Sequence, residues 1–238
     1  YFDIPDDINP KLKMSDISID NNSEGAIKCA IFGLTTRTPE VYLFNYVNLL
    51  NDIVVILKQP GRRYMALIDI GCIFVKYDND VVATTLGDSL NMAIVYFGAN
   101  DERKYYNPQS KFHGLFEDLK WSQYIIYYDE GHIVGQDFVI PNDVSGLATI
   151  GSSTRYRDLS QGIFRMRRLN YTHAIDFVCS RGIGSQIFKD AHKMTVNDVN
   201  KYSEINMTAL YDWLKLNEDK FSATQDRLFK FQNMKCLA

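Results

Sequence analysis

Short, nearly unbroken apolar runs constrain this chain more than any other feature. Tyr64–Asp69, Met92–Phe97, Tyr124–Tyr128, Leu147–Gly151 and Ala174–Val178 are each five or six residues long. That length suits a strand and is too short for a buried helix. The runs do not alternate apolar with polar, so each strand is covered on both faces, as in a parallel sheet flanked by helices. Helical stretches fall between them. Thr38-Pro39-Glu40 reads as a helix start, with Thr as N-cap and Pro at the first helical position, and that helix is expected to run to about Leu57, before Pro60-Gly61. Asp78 or Asn79 is expected to cap a helix through about Leu90, and a third helix is expected over Arg157–Leu169. Ala26–Leu34 reads as a first strand, Asn100–Asn107 as a charged turn or loop, and Gly114–Lys120 as a short helix or turn. The expected fold is an α/β three-layer sandwich around a mostly parallel sheet.

The two ends differ from this middle. Residues 1–25 are polar, carry Pro5 and Pro10, and close on Asp20-Asn21-Asn22-Ser23-Glu24-Gly25, which reads as an arm or linker. Residues 26–184 form the expected α/β domain. Residues 185–238 hold no convincing strand; Lys189–Leu216 and Ser222–Met234 read as amphipathic helices of a C-terminal helical appendage. The chain starts at Tyr1, with neither signal peptide nor initiator Met, and is expected to be a piece of a longer protein.

Bulk chemistry narrows the function. A net charge of −3 and a pI near 5.8 argue against a dedicated nucleic-acid-binding domain. Cys29, Cys72, Cys179 and Cys236 are far apart, without metal-ligand spacing, so no metal site is expected and the thiols read as reduced and intracellular, cytoplasmic or nuclear. No apolar run approaches the 18 or so residues of a membrane span. Neither GxxxxGK[ST], GxGxxG, GxSxG nor HExxH occurs, which excludes a self-contained phosphate-loop ATPase or an ordinary dinucleotide enzyme.

One segment stands out: Ser160-Gln161-Gly162-Ile163-Phe164-Arg165-Met166-Arg167-Arg168-Leu169. On a continuous helix Arg165 and Arg168 share a face. Guanidinium is permanently charged and fork-shaped, which suits phosphoryl oxygens. Upstream lies Asp129-Glu130-Gly131-His132-Ile133-Val134-Gly135-Gln136-Asp137.

The order Gly135-x-Asp137, strand, Gln161-x-x-x-Arg165-x-x-Arg168, strand resembles the second RecA-like domain of superfamily 2 helicases. A wider stretch, from Ile68-Asp69-Ile70-Gly71 through Asp129-Glu130-Gly131-His132 to Arg165-Met166-Arg167, is similar to an uncharacterised domain family of very large eukaryotic proteins, often labelled ubiquitin-hydrolase-like. The likeness spans roughly residues 64–178. It departs at Phe164, where helicases commonly place Gly, and at Ile133 and Val134, where the second family often has Thr and Arg. It implies a RecA-like sandwich that contributes to ATP and Mg held by a partner RecA-like domain bearing the phosphate loop, in cis or in trans. Arg165 and Arg168 would neutralise charge on the transferred phosphoryl group, Gln161 would contact phosphate or the attacking water, Asp137 the ribose, and Gly135 would allow close backbone approach. Asp129-Glu130-x-His132 resembles the carboxylate motif of a first helicase domain; without a preceding phosphate loop it reads as a decoy. A catalytically idle scaffold fits the same resemblance.

Plainer readings stand beside these. The arginines can form a solvated face paired with Asp158, and Asp137 can be a turn residue. A thiol hydrolase acting on ubiquitin-like conjugates would need Cys72 near His132 or His173, since Cys72 is the cysteine best placed at a strand end. Arg103-Lys104-Tyr105-Tyr106 and Arg155-Tyr156-Arg157 combine charge with stacking surface, as single-strand nucleic-acid grooves do, although surface loops are the favoured reading. A pure interaction module using the C-terminal helices is the remaining alternative.

Overall fold

The computed structural model describes residues 37, 39–118, 123–133, 138–169, 171–192 and 205–236. These residues form an eight-stranded, mostly parallel sheet with helices on both faces. The strands are β1 (Val41–Phe44), β2 (Tyr64–Ile68), β3 (Ala93–Phe97), β4 (Arg103–Asn107), β5 (Phe112–Leu115), β6 (Tyr124–Tyr128), β7 (Val144–Ile150) and β8 (His173–Ser180). The helices are α1 (Leu49–Leu57), α2 (Asn79–Leu90), α3 (Tyr156–Ile163), α4 (Arg181–His192) and α5 (Met207–Cys236). The strand order is β1-β8-β7-β2-β6-β3-β4-β5, parallel as far as β3, with β4 and β5 added as antiparallel strands.

Strand alternation divides the apolar residues between two cores. Ala66, Ile68, Ile126, Ala148 and Phe177 face one side, where α3, α4 and the first half of α5 supply Leu159, Ile163, Ile187, Leu210 and Trp213. Leu67, Ile94, Tyr127, Leu147 and Val178 face the other, against Ile53 and Ile56 of α1 and Val82 and Leu86 of α2. All five residues of β2, and all five of β3, are buried, as the unbroken apolar runs require. Each large aliphatic or phenyl side chain among them, such as Leu67, Ile68 or Phe97, contributes roughly 1.5–3 kcal/mol.

Several expected elements take another form. The helix expected from Thr38 begins only at Leu49. Val41–Phe44 instead pairs in parallel with Phe177–Ser180 as an edge strand, because β8 offers an open ladder to a β-branched and aromatic segment. Asn45 then turns the chain, its N–H donating to Asp52 Oδ2 at 2.8 Å. The expected loop at Asn100–Asn107 contains β4, whose Tyr106 is buried and donates through its hydroxyl to Asp88 at 2.5 Å. Lys104, within this strand, stands beside Asp80 and Glu102. Gly114 and Leu115 end β5, and Phe116–Asp118 make one 3-10 turn. Ala26–Leu34 lies outside the described residues.

At the C-terminal end, α4 starts at Arg181, ahead of the expected boundary at residue 185, and α5 runs unbroken through the gap expected between two helices. The first half of α5 shares the core with α3 and α4 through Leu210, Trp213 and Leu214. From Asp219 to Phe229 every residue is exposed, including Phe221, Leu228 and Phe229. No helix among the described residues is long and apolar enough to cross a membrane.

Candidate functional site

Among the described residues, those singled out by the sequence fall at two opposite ends of the sheet. At the carboxyl end, β2 leaves toward β3 through α2, while its neighbour β7 leaves toward β8 through α3. This divergence makes the β2–β7 crevice the topological switch point, where open α/β sheets usually bind ligands. Here the crevice is filled. A Cβ on Gly71 would lie 2.4 Å from the Gly151 nitrogen, so the two loops touch backbone to backbone. Asp69, which ends the strand, is 2% exposed. Its Oδ1 accepts from the Thr149 hydroxyl at 2.6 Å and from the Ile73 N–H at 2.9 Å, and its Oδ2 accepts from the Phe74 N–H at 3.1 Å. Thr149 Oγ1 in turn accepts from the Gly71 N–H at 2.8 Å. Burial pushes the Asp69 carboxyl above its usual range, against the pull of these donors. Asp69 therefore staples β2 to β7.

Beside it, Cys72 adopts a left-handed backbone with φ 53°. Burial, with Glu130 next in effect, pushes its thiol up to about 12. Asp69 and Asp158 add to the negative field. A nucleophilic cysteine needs the opposite surroundings. His132 is engaged elsewhere: its Nδ1 lies 2.8 Å from Asp129 Oδ1, its Nε2 lies 3.0 Å from Asp101 Oδ1, and its ring stacks on Phe97 at 4.2 Å. Asp129 caps the turn, accepting from the Gly131 N–H at 2.9 Å and from Asn79 Nδ2 at 2.6 Å. His173 begins β8, at the other end of the sheet. Neither histidine is hydrogen-bonded to Cys72 among the described residues.

The arginine segment reaches that other end. α3 starts at the carboxyl edge with a capping box between Arg155 and Asp158 and runs back along β7. Gly162 permits the close approach, since a Cβ there would lie 2.3 Å from Ile70 Cδ1. The helix closes at Ile163, six residues before the expected end at Leu169, with Phe164 as its C-cap. Gln161 lies on the helix and is exposed. Arg165 and Arg168 lie beyond it, in turns, so they do not share a helical face. Arg165 is buried at 7% exposure, whereas Arg168 is at the surface. The turn is tight because the Arg168 carbonyl accepts from the N–H groups of Tyr171, Thr172 and His173 at 2.9, 3.0 and 2.8 Å. Gly135 and Asp137, expected to approach a nucleotide, lie outside the described residues.

Arg168 Nη1 donates to Asn142 Oδ1, an atom that also accepts from the Thr172 hydroxyl at 3.3 Å. The Arg168 N–H donates to His173 Nδ1 at 3.3 Å, and His173 Nε2 lies 2.8 Å from the Pro141 carbonyl oxygen. Pro141–Asp143 leads directly into β7, so this cluster sits at the amino ends of β7 and β8, where Val144 pairs with His173. Asn142 and Thr172 carried no sequence signal beyond turn chemistry; their partners stand far along the chain. Among the described residues no group of three or more His, Cys, Asp or Glu is disposed to hold a metal ion.

A second buried network joins the same strands on the opposite face. Asp176 accepts from Arg37 Nη1 at 2.6 Å, from the Tyr64 hydroxyl at 2.6 Å and from the Glu40 N–H at 2.8 Å. Arg37 Nη2 also reaches Ser145 Oγ at 3.2 Å. These groups satisfy one another and tie the chain before β1 to β8. No protein-family model, no characterised sequence and no solved structure matches the chain.

Proposed function

We propose that the chain is the second RecA-like half of a helicase-type ATPase and presents Arg168 to a nucleotide held by a separate phosphate-loop domain. One observation carries this reading: the Arg168 guanidinium is held at the surface by a neutral amide oxygen. Arg37, Arg62, Arg155 and Arg157 each face a carboxylate, Asp176, Glu40, Asp158 and Glu218 respectively. Arg168 thus keeps its charge for an anion, in the segment where the motif order places phosphate contacts. Arg165, being buried, supports the segment from beneath, and exposed Gln161 stands on the preceding helix to contact phosphate or the attacking water.

With no phosphate loop, the chain supplies charge neutralisation and not the nucleotide cradle. ATP and Mg would be bound chiefly by the partner domain. An arginine acting this way is worth ~10³–10⁵ in rate. Purified chain is expected to bind ATP weakly and to hydrolyse none. Once joined to its phosphate-loop partner, turnover should fall by ~10³-fold or more in Arg168→Ala, with little change on Arg157→Ala. Robust hydrolysis by the chain alone would overturn the reading.

A further inference from the structure

The corner around Arg168 is built more tightly than an ordinary surface arginine requires. Its main-chain N–H donates to His173 Nδ1, its main-chain carbonyl accepts from three successive N–H groups, and its guanidinium donates to Asn142 Oδ1. His173 is 1% exposed, and its ring contacts with the Arg168 N–H and the Pro141 carbonyl dictate its form. A carbonyl oxygen accepts only and a main-chain N–H donates only, so Nε2 carries the proton and Nδ1 offers the lone pair. The same imidazole therefore fixes Pro141, next to Asn142, and Arg168 at once.

We propose that Asn142 and His173 are positioning residues for Arg168, His173 setting its main chain and Asn142 the direction of its guanidinium. The proposal rests on the nucleotide reading above for its purpose, though not for its geometry. An arginine free to rotate must give up rotamer freedom when it meets phosphate; one already directed gives up less. An amide suits the task because it orients the fork without neutralising it, leaving the remaining N–H groups for an anion. A carboxylate at position 142 would orient the fork equally well and compete with the phosphate for it. Thr172 shares the Asn142 oxygen and holds that side chain in place at 3.3 Å.

The test uses the full chain labelled with ¹⁵N, with ATP as the probe. In the wild type the Arg168 Nε–H signal should be dispersed and should shift on adding ATP, and His173 should show the Nε2-protonated neutral form. Asn142→Ala should move the Arg168 signal to the position of solvated arginines. It should also weaken ATP binding about three- to tenfold, the value of one immobilised side chain. Asn142→Asp should keep the Arg168 signal dispersed yet weaken ATP binding at least as much. A merely structural Asn142 would not separate these two readouts. An Arg168 signal unchanged in Asn142→Ala, or a His173 ring protonated on Nδ1 instead of Nε2, overturns the proposal. If Asn142→Ala releases Arg168 while Arg168→Ala leaves ATP binding untouched, the positioning stands and the nucleotide reading is what fails.

Discussion

Gly71 and Gly151 meet backbone to backbone at the carboxyl ends of β2 and β7: a Cβ on Gly151 would lie 2.2 Å from the Gly71 carbonyl oxygen. This contact occupies the crevice where an open α/β sheet would usually receive its ligand. Arg168 stands at the other end of the sheet, at the amino ends of β7 and β8.

Gly151→Ala should be destabilising by about 1–3 kcal/mol, because the atom it meets is main chain and cannot swing aside. Gly182→Ala provides the contrast. Its Cβ would meet nothing closer than Ser180 Oγ at 3.9 Å, inside α4, and should be neutral or stabilising by ~0.5–1 kcal/mol. Chemical denaturation of both variants checks the pair; equal effects would contradict the close contact.

Asp176 should dominate the acid limb of stability. Burial raises its carboxyl, but hydrogen bonds from Arg37, Tyr64 and the Glu40 N–H outweigh burial and leave the group below its ordinary range. A depressed carboxyl stabilises the fold above its unfolded value, about 3.9, and that contribution fades as pH falls through the folded value. Asp176→Ala leaves the partner guanidinium without its buried counter-charge and should cost ~3–5 kcal/mol at pH 7. Urea melts from pH 7 to pH 2 should show a flatter acid limb in Asp176→Asn.

His173 acts in a higher window. Burial lowers its pKa below the usual imidazole value, with the Arg168 charge adding to the effect. The unfolded chain therefore takes up a proton near pH 6.5 that the folded chain refuses, so stability is full above that pH and declines below it. Thermal melts between pH 7.5 and 5 should show a loss that is absent in His173→Gln once the variant's own lower baseline is subtracted. A pH-independent wild type in this window would contradict the neutral, bonded imidazole.

Cys72 should behave as an unreactive thiol. With its pKa pushed up to about 12, first by burial and then by Glu130, almost no thiolate exists at pH 8. Iodoacetamide labelling followed at the Cys72 peptide should be at least ~10-fold slower in the folded chain than in urea. A ubiquitin-directed electrophilic probe should leave Cys72 unmodified; rapid labelling would revive the thiol-hydrolase reading.

The arginine site was only half legible. Gln161, Arg165 and Arg168 are visible as a motif, but the periodicity that placed both arginines on one helix fails, because α3 closes at Ile163 and the chain turns to meet β8. That turn depends on the Arg168 carbonyl gathering three N–H groups, and on Asn142 and His173 reaching it from elsewhere in the chain. The strand at Val41–Phe44 was hidden for a similar reason. Local signals favoured a helix, and only the open edge of β8 turned the segment into a strand.

What the sequence determines by itself is the layering. Unbroken apolar runs of strand length, separated by amphipathic stretches, have one good way to hide both faces, and β2, β3, β6, β7 and β8 all lie where those runs predict. The tertiary structure decides what the strand ends do. Asp69 and Gly151 fall at carboxyl ends, where a ligand was to be expected, yet packing of one loop on the other made them a staple and a seal. Arg168, read as one of a helical pair, became a single directed guanidinium at the amino edge. The physical reason is range: strand burial is written in neighbouring residues, whereas a hydrogen-bond partner 26 residues away, as Asn142 is for Arg168, is fixed only when the chain folds back on itself.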